Sequence, residues 1–140
     1  MDPAECRRRF GAADHAYLAT AGTPASSDRS AGQVVPHLVP VTFDLTDDQI
    51  VVAVDHKPKR TTALRRLANI EANPHVAFLT DHYGSDWSAL WWVRADARAE
   101  VIQAGEAHHE AIVRLRRRYP QYRQQPPAGP VILATVRRWR

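Results

Sequence analysis

Residues 52–76 read VAVDHKPKRTTALRRLANIEANPHV, and this stretch decides how the chain folds. It begins as an apolar strand and continues as a cluster of cations. An amphipathic helix then starts at Thr61 or Thr62, since either residue can cap it, and ends at Asn73-Pro74 because proline cannot continue a helix. The sequence therefore predicts a strand that enters a helix through a basic turn.

Three cations, Lys57, Lys59 and Arg60, stand immediately before that helix. The first turn of a helix has unpaired N–H groups and carries the positive end of the helix dipole. Fixed positive charge beside such a helix start is a suitable site for a phosphate or a carboxylate. The alternative is a solvated basic turn, which is the ordinary role of a charge run. The local pattern alone leaves both interpretations open.

Length and composition narrow the class of protein. We expect 140 residues to form one domain, residues 1–140. Hydrophobic residues make up 44% and charged residues 24%, as in a folded globular chain. The net charge of +4 suits a small anionic ligand as well as nucleic acid. The N-terminus is charged, unlike a signal peptide, and no run approaches the ~20 apolar residues that a membrane-spanning helix needs. We therefore expect a cytoplasmic protein.

The spacing of apolar residues predicts mainly strands. Residues 37–43 alternate between apolar and polar and predict one strand, and IVVAV at 50–54 predicts another. DLTDDQ at 44–49 is expected to turn the chain, so the two strands should form an antiparallel hairpin. Residues 88–102 alternate throughout and predict a long strand. Further strands are expected at 16–21, 76–80 and 131–139, helices at 3–13, 61–73 and 106–119, and a loop at 22–33. This order predicts a small antiparallel barrel decorated by helices.

Three motifs resemble those of the pyridoxamine 5′-phosphate oxidase-like, split β-barrel superfamily, and more closely its deazaflavin branch, which uses coenzyme F-420. They are PHLVPVTF at 36–43, VDHKPKRTTALRRLANIEANP at 54–74 and DHYGSDWSALWWVRADARA at 81–99. The resemblance covers nearly the whole chain. It implies a mainly β fold with flanking helices, a homodimer, and a cofactor in a groove between the protomers.

The same resemblance assigns the cofactor phosphate to the basic cluster. Lys57, Lys59 and Arg60 would hold it, and Thr61 or Thr62 would add a hydroxyl or a backbone N–H. FMN, which also has a phosphate and a tricyclic ring, is the alternative cofactor.

The resemblance also assigns residues to the ring system of the cofactor. It implies that His37, Val39 and Pro40 lie along the ring, with Arg94 as a further contact. Trp87 is expected where either a flat ring or a partner protomer could stack on it.

Two departures from the family pattern bear on this site. Relatives have a tight turn of the kind G-A-D-G-R between the first two strands, whereas the segment at 22–33 is longer, so we expect the mouth of the site to differ. Ala97 stands in RADARA where a glycine is common, so the bend of that strand is expected to differ, and with it the placement of Arg94.

Other tryptophans and basic residues have simpler interpretations. Trp91 is expected in the core, Trp92 at an interface and Trp139 in packing. The run RLRRRY at 114–119 is read as a solvated helix face in preference to a nucleic-acid contact.

Several classes of enzyme lack support in the sequence. No HxxxH or HExxH pattern is present among the seven histidines, so no metal site is expected. A single cysteine excludes a zinc deaminase, and no G-x-S-x-G, G-x-G-x-x-G or P-loop occurs.

What remains is an oxidoreductase in which, as the resemblance implies, reduced F-420 passes hydride to a small organic acceptor. A second hypothesis is an FMN-dependent enzyme, and a third is a non-catalytic binder of a flavin or deazaflavin.

Overall fold

The computed structural model describes residues 1–22, 33–54 and 61–140, and for 61–64 the backbone only. The helices are α1 (Pro3–Ala12), α2 (Thr61–Ala72), α3 (Glu106–Arg118) and α4 (Pro120–Gln124). The strands are β1 (Ala16–Thr20), β2 (His37–Val41), β3 (Asp44–Thr46), β4 (Gln49–Ala53), β5 (His75–His82), β6 (Trp91–Ile102) and β7 (Val131–Trp139).

The seven strands form one antiparallel sheet in the order β2-β1-β5-β6-β7-β4-β3. Alternate residues of six of these strands, β3 apart, contribute buried side chains to a single cluster, so the sheet curls around a common interior. Helices flank this half-barrel. The predicted fold class, a mainly β split barrel with flanking helices, is confirmed.

Helix α1 contributes the side chain of Phe10 to the interior of the barrel. Phe10 is 0% exposed, and its ring centroid lies 4.8 Å from that of Phe43, 5.4 Å from that of Trp139 and 6.4 Å from that of Phe78. Trp139 therefore packs against the core, as predicted. An aromatic cluster contributed by a helix and three separate segments of the sheet ties α1 to the barrel.

A second, smaller core lies on the outer face of the sheet. Ala111 and Leu115 of α3 pack on Val51 of β4 and Val131 of β7. This covers the outer face over the β4–β7 half only. The outer face of β2, β1, β5 and β6 has no helix over it among the described residues, and it carries the candidate site.

The first helix begins as the sequence predicts. The Asp2 carboxylate accepts a hydrogen bond from the Glu5 N–H at 2.9 Å, and Pro3 occupies the first helical position. The helix ends at Ala12, one residue before the predicted end, and Gly11 lies inside it. Gly11 is not needed to end it because the cap residue, Ala13, is extended with a negative φ.

The predicted hairpin between residues 37–43 and 50–54 is wrong. β2 pairs with β1, with Leu18 opposite Val39, and β4 pairs with a separate strand, β3, inside the segment expected to be a turn. The turn itself is only Asp47-Asp48, both with positive φ, which aspartate tolerates. Alternation identifies a strand but not its neighbour, because pairing depends on residues distant in sequence.

Two further boundaries differ from the predicted ones. Residues Trp87–Ala89 form a 3₁₀ turn, which the Asp86 side chain caps by accepting from the Ser88 N–H at 3.0 Å, so the long strand starts at Trp91. Pro120 does not end the helical region: it begins the short helix α4, where proline is favoured at the first position.

The Asp47-Asp48 turn is held by the Asp48 carboxylate, which accepts three hydrogen bonds from two side chains. Asp48 accepts bonds from Arg7 Nε at 2.6 Å and Nη2 at 2.9 Å and from Trp139 Nε1 at 3.0 Å. The Arg7 bonds, and next the Trp139 bond, lower the pKa of Asp48 below its ordinary value. The turn is thereby fastened to both α1 and β7.

A pH dependence follows from this contact. A carboxylate with a lowered pKa in the folded state stabilises above its unfolded pKa, and that contribution is lost as pH falls through the folded pKa. We expect Asp48→Asn to lower the free energy of unfolding near pH 7 by only ~0.5–1 kcal/mol, because the pair is partly exposed. The difference from wild type should shrink in urea titrations as the pH falls below the unfolded pKa of an aspartate, about 3.9. A difference independent of pH would contradict this assignment.

Candidate functional site

The bare half of the outer face forms an open, mainly apolar groove of about 720 Å³. Its floor comes from β1 and β5 and its sides from β2 and β6, because alternate residues of neighbouring strands point to the same face. The lining residues include Tyr17, Leu38, Leu79, Trp92 and Arg94. This volume is within the range of small-molecule sites, ~300–1,000 Å³.

The apolar side chains of this groove are unusually exposed. Leu38 is 67% exposed and Trp92 48%, and Tyr17 and Tyr83 are also exposed. A contiguous apolar surface of this kind is typical of a ligand site or a protein interface. Trp92 is exposed on this face, and its role at an interface stays a prediction. Trp91, on the opposite face, packs against the core as predicted.

Arg94 is a charged residue in the lining of the groove, and it is held by an ion pair with Asp96. Its Nε donates to Asp96 Oδ1 at 2.9 Å, and Arg140 Nε donates to Asp96 Oδ2, also at 2.9 Å. Asp96 has a lowered pKa; burial works against that shift, and the bonds from Arg140 and Arg94 outweigh it. The β6–β7 register shifts between Asp96 and Ala97, the position where the sequence departs from the family pattern. Arg94 is therefore held by a paired carboxylate beside an irregularity in the strand.

A second concavity of about 490 Å³ continues the surface toward the other end of β1. It shares Ala19 and Ala77 with the groove, and Pro36, His75 and Arg137 are among its other lining residues. The two depressions together extend along β1 and β5 toward the start of β2.

Helix α2 is anchored at that end. The buried side chain of Asn69 donates to Thr20 Oγ1 at 3.0 Å, and Asn73 Nδ2 donates to the Ala21 carbonyl at 2.7 Å. Gly22 permits this approach, since a Cβ there would lie 2.5 Å from the Asn69 Cα. The C-terminal half of α2 thus has a fixed position against the end of β1.

His37, at the first position of β2, lies near the second turn of α2. Burial lowers its pKa, and the positive charges of Arg66 and Arg65 lower it further. The neutral imidazole is therefore favoured at neutral pH. Its Nδ1 is buried and has no hydrogen-bond partner within the described parts of the chain. A buried ring nitrogen without a partner is a candidate ligand contact.

The predicted phosphate-binding residues fall largely outside the part of the chain that the structure describes. Lys57, Lys59 and Arg60 lie outside the described residues. Thr61 begins α2 and Thr62 follows it, as predicted, but the description there covers the backbone only.

The ring-contact residues do not share one face. His37 and Val39 are half-buried on the side of the barrel interior, whereas Pro40 is exposed on the outer side with Leu38. Trp87 is 79% exposed in the 3₁₀ turn. Whether these residues contact a cofactor remains a prediction.

Sequence reasoning missed Tyr17 and Leu38 as site residues. The signal was present, because alternation in AYLAT and HLVPV places both side chains on the face opposite Leu18 and Val39. Recognising that this face stays uncovered required the position of α3.

The basic run at 114–119 was predicted to be a solvated helix face, but two of its arginines contact the rest of the fold. Arg114 Nε donates to Asp44 Oδ2 at 2.9 Å and is largely buried. Arg118 donates to the Ala13 carbonyl and lies 4.6 Å from the centroid of the Phe43 ring. Two of its arginines therefore join α3 to the barrel.

Metal sites and membrane-spanning helices are both absent from the part of the chain that the structure describes. Residues 1–22, 33–54 and 61–140 contain no cluster of three or more histidine, cysteine, aspartate or glutamate side chains arranged for a metal ion. Within the same ranges, no helix has the length and apolar character to cross a bilayer.

Comparison with solved structures shows a widespread fold. A conserved hypothetical protein from Mycobacterium tuberculosis aligns with a TM-score of 0.73 at 23% identity, over 100% of this chain and 83% of that one. A heme storage protein from Vibrio cholerae aligns at 0.68 and 16% identity, over 98% and 89%. An FAD-binding protein from Mesorhizobium loti aligns at 0.67 and 16% identity, over 99% and 92%. At these identities the likeness shows the fold alone.

Sequence comparison identifies the family. No curated protein matches this chain significantly. A profile described as pyridoxamine 5′-phosphate oxidase matches residues 3–140, nearly the entire chain. The chain therefore belongs to the pyridoxamine 5′-phosphate oxidase family.

Proposed function

We propose that this protein is a homodimeric oxidoreductase that binds reduced coenzyme F-420 and transfers hydride to a small organic acceptor. The observation that carries the proposal is the exposed apolar groove on the outer face, which adjoins a second concavity lined in part by Pro36, directly before β2. When bound, the deazaflavin would supply the hydride from its C5. The absence of a nucleophile or catalytic triad in the sequence agrees with such a role.

The residues present fit a flat ring that carries a phosphate. The groove offers the aromatic side chains of Tyr17 and Trp92 and the aliphatic Leu38 and Leu79, which exclude water and give surfaces for stacking. Arg94, on the same face, supplies positive charge. His37 lies on the interior side of β2, and its buried Nδ1, which has no partner among the described residues, can pair with a polar group of a ligand that reaches that side.

The phosphate itself is assigned to Lys57, Lys59 and Arg60 with the start of α2. The support comes from the family resemblance of that motif and from two features of α2. First, α2 begins at Thr61 and its other end is fixed to β1 by the Asn69–Thr20 hydrogen bond. Second, Arg65 and Arg66 of this helix lie close enough to His37 to lower the pKa of its imidazole. The proposal thus places phosphate at one end of the site and ring at the other.

The first test is the choice of cofactor. We expect F-420 to bind with micromolar or tighter affinity and more tightly than FMN, measured by quenching of cofactor fluorescence. Equal or stronger binding of FMN would overturn the deazaflavin assignment in favour of an FMN-dependent enzyme of the same family. The mass and absorption spectrum of any ligand that copurifies would give an independent check.

A second test concerns assembly. We propose that the outer face also forms a two-fold interface, since a monomer would leave Leu38, Trp92 and their neighbours in water. Light scattering should give about twice the 15.8 kDa of one chain. Leu38→Asp should give a folded monomer, because it places a charge in the apolar surface. Ala107→Asp, on the exposed first turn of α3, is the matched control and should remain a dimer. A wild-type monomer at low concentration would refute the proposal.

A further inference from the structure

A separate groove of about 680 Å³ lies between the C-terminal end of α1 and the barrel strands β1, β5 and β6. It meets the outer-face groove at Tyr17 and Asp81, which line both. The proposed function assigns no ligand to it. Its volume is nevertheless that of a small-molecule site.

Thr80 lines this groove and has an unmet hydrogen-bonding capacity. The residue is 2% exposed, and its hydroxyl oxygen has no partner in the described ranges. A buried hydroxyl is ordinarily paired, since leaving it unpaired is unfavourable. A ligand in the groove can supply the missing partner.

The fixed charges that line the groove cancel. Arg8 and Arg9 contribute two positive charges, and Asp14 and Asp81 contribute two negative charges. The two arginines also share the Glu5 carboxylate, each at 2.6 Å. With the Glu5 carboxylate included, these charges do not favour an anion, and the site offers N–H donors and carboxylate acceptors from separate elements.

Aromatic rings supply the remaining surface. The His82 ring stacks on Trp91 with centroids 6.3 Å apart and an interplanar angle of 19°, and the Arg9 guanidinium lies 5.1 Å from the centroid of Trp91. The Tyr17 ring also lines the groove. Ring surfaces of this kind favour a flat, unsaturated ligand over an aliphatic one.

We propose that this groove binds an uncharged, planar heteroaromatic molecule that carries both N–H donors and carbonyl acceptors, the class to which the purine bases belong. Thr80 binds one polar atom at the floor, the aspartates accept from ring N–H groups, and the arginines donate to carbonyl oxygens. This inference is independent of the cofactor assignment, so failure to bind F-420 would not affect it.

The test is a titration of the full chain with hypoxanthine, followed by the backbone amide shifts of Ala12 and Ala89 in NMR spectra. We expect saturable shifts at these residues. Thr80→Val, which keeps the shape and removes the hydroxyl, should weaken binding at least tenfold without lowering the melting temperature. Thr135→Val, on the outer face of β7, is the matched control and should bind as wild type does.

Three results would overturn the inference. One is the absence of saturable shifts at millimolar hypoxanthine. Another is equal affinity of the Thr80→Val and wild-type proteins. The third is tighter binding of 2-naphthoate, a planar anion of similar size, since the cancelled charges predict no preference for an anion. His82→Gln, an exposed substitution, is a second variant and should also reduce the affinity for hypoxanthine.

Discussion

Replacing Phe10 by alanine should lower the free energy of unfolding by about 3–5 kcal/mol, the usual cost of emptying a large buried aromatic site. Phe10 is fully buried and contacts the rings of Phe43, Phe78 and Trp139, which come from separate parts of the barrel. These rigid neighbours cannot all move to fill the cavity. Urea unfolding monitored by circular dichroism measures the loss.

Two comparisons make this result interpretable. Phe10→Leu should lower the free energy of unfolding by less than half as much as Phe10→Ala does, because most of the apolar volume remains. Arg8→Ala, on the exposed side of the same helix, should leave the midpoint of urea unfolding almost unchanged, because exposed ion pairs contribute little to stability. A loss for Phe10→Ala as small as that for Arg8→Ala would show that α1 is not part of the cooperative core.

Lys59→Ala and Arg60→Ala should each weaken cofactor binding roughly ten- to a hundredfold, with F-420 fluorescence as the measurement. If these cations hold the phosphate together with the start of α2, each gives a charge-assisted contact worth ~1.5–3 kcal/mol. The melting temperature should hardly change, because the proposal gives these cations a role in binding the cofactor and none in the packing of the fold.

Arg65→Ala and Arg66→Ala separate a specific phosphate site from general attraction by positive charge. These residues lie within a few positions of Lys59 and Arg60 and lose the same charge on substitution. Under the proposal they should weaken binding much less. Similar losses for all four variants, or no loss for Lys59→Ala and Arg60→Ala at an unchanged melting temperature, would place the phosphate elsewhere.

The elements of the fold were predictable where local chemistry decides them. Asp2 caps α1, Asn73-Pro74 follows the end of α2, and the last strand spans residues 131–139 as expected. Caps, helix breakers and alternation act over a few residues, so their signal survives in a single sequence.

The pairing of the strands was not predictable in the same way. β2 joins β1 across the segment at 23–32, and the short strand β3 takes the place beside β4 that the sequence assigned to β2. The Tyr119 hydroxyl accepts from the Phe43 N–H at 3.1 Å just beyond β2, a contact between residues 76 positions apart. Such contacts are selected by the whole fold and leave no local pattern.

The sequence by itself determined the family motifs, the strand-to-helix segment at 52–76, and the two faces of each strand. Only the tertiary structure decided which faces are covered. α1 fills the interior and α3 covers the β4–β7 half of the outer face, while Leu38 and Trp92 are left exposed on the other half. The physical reason is that alternation separates the two sides of a strand, whereas burial depends on which distant element packs against each side.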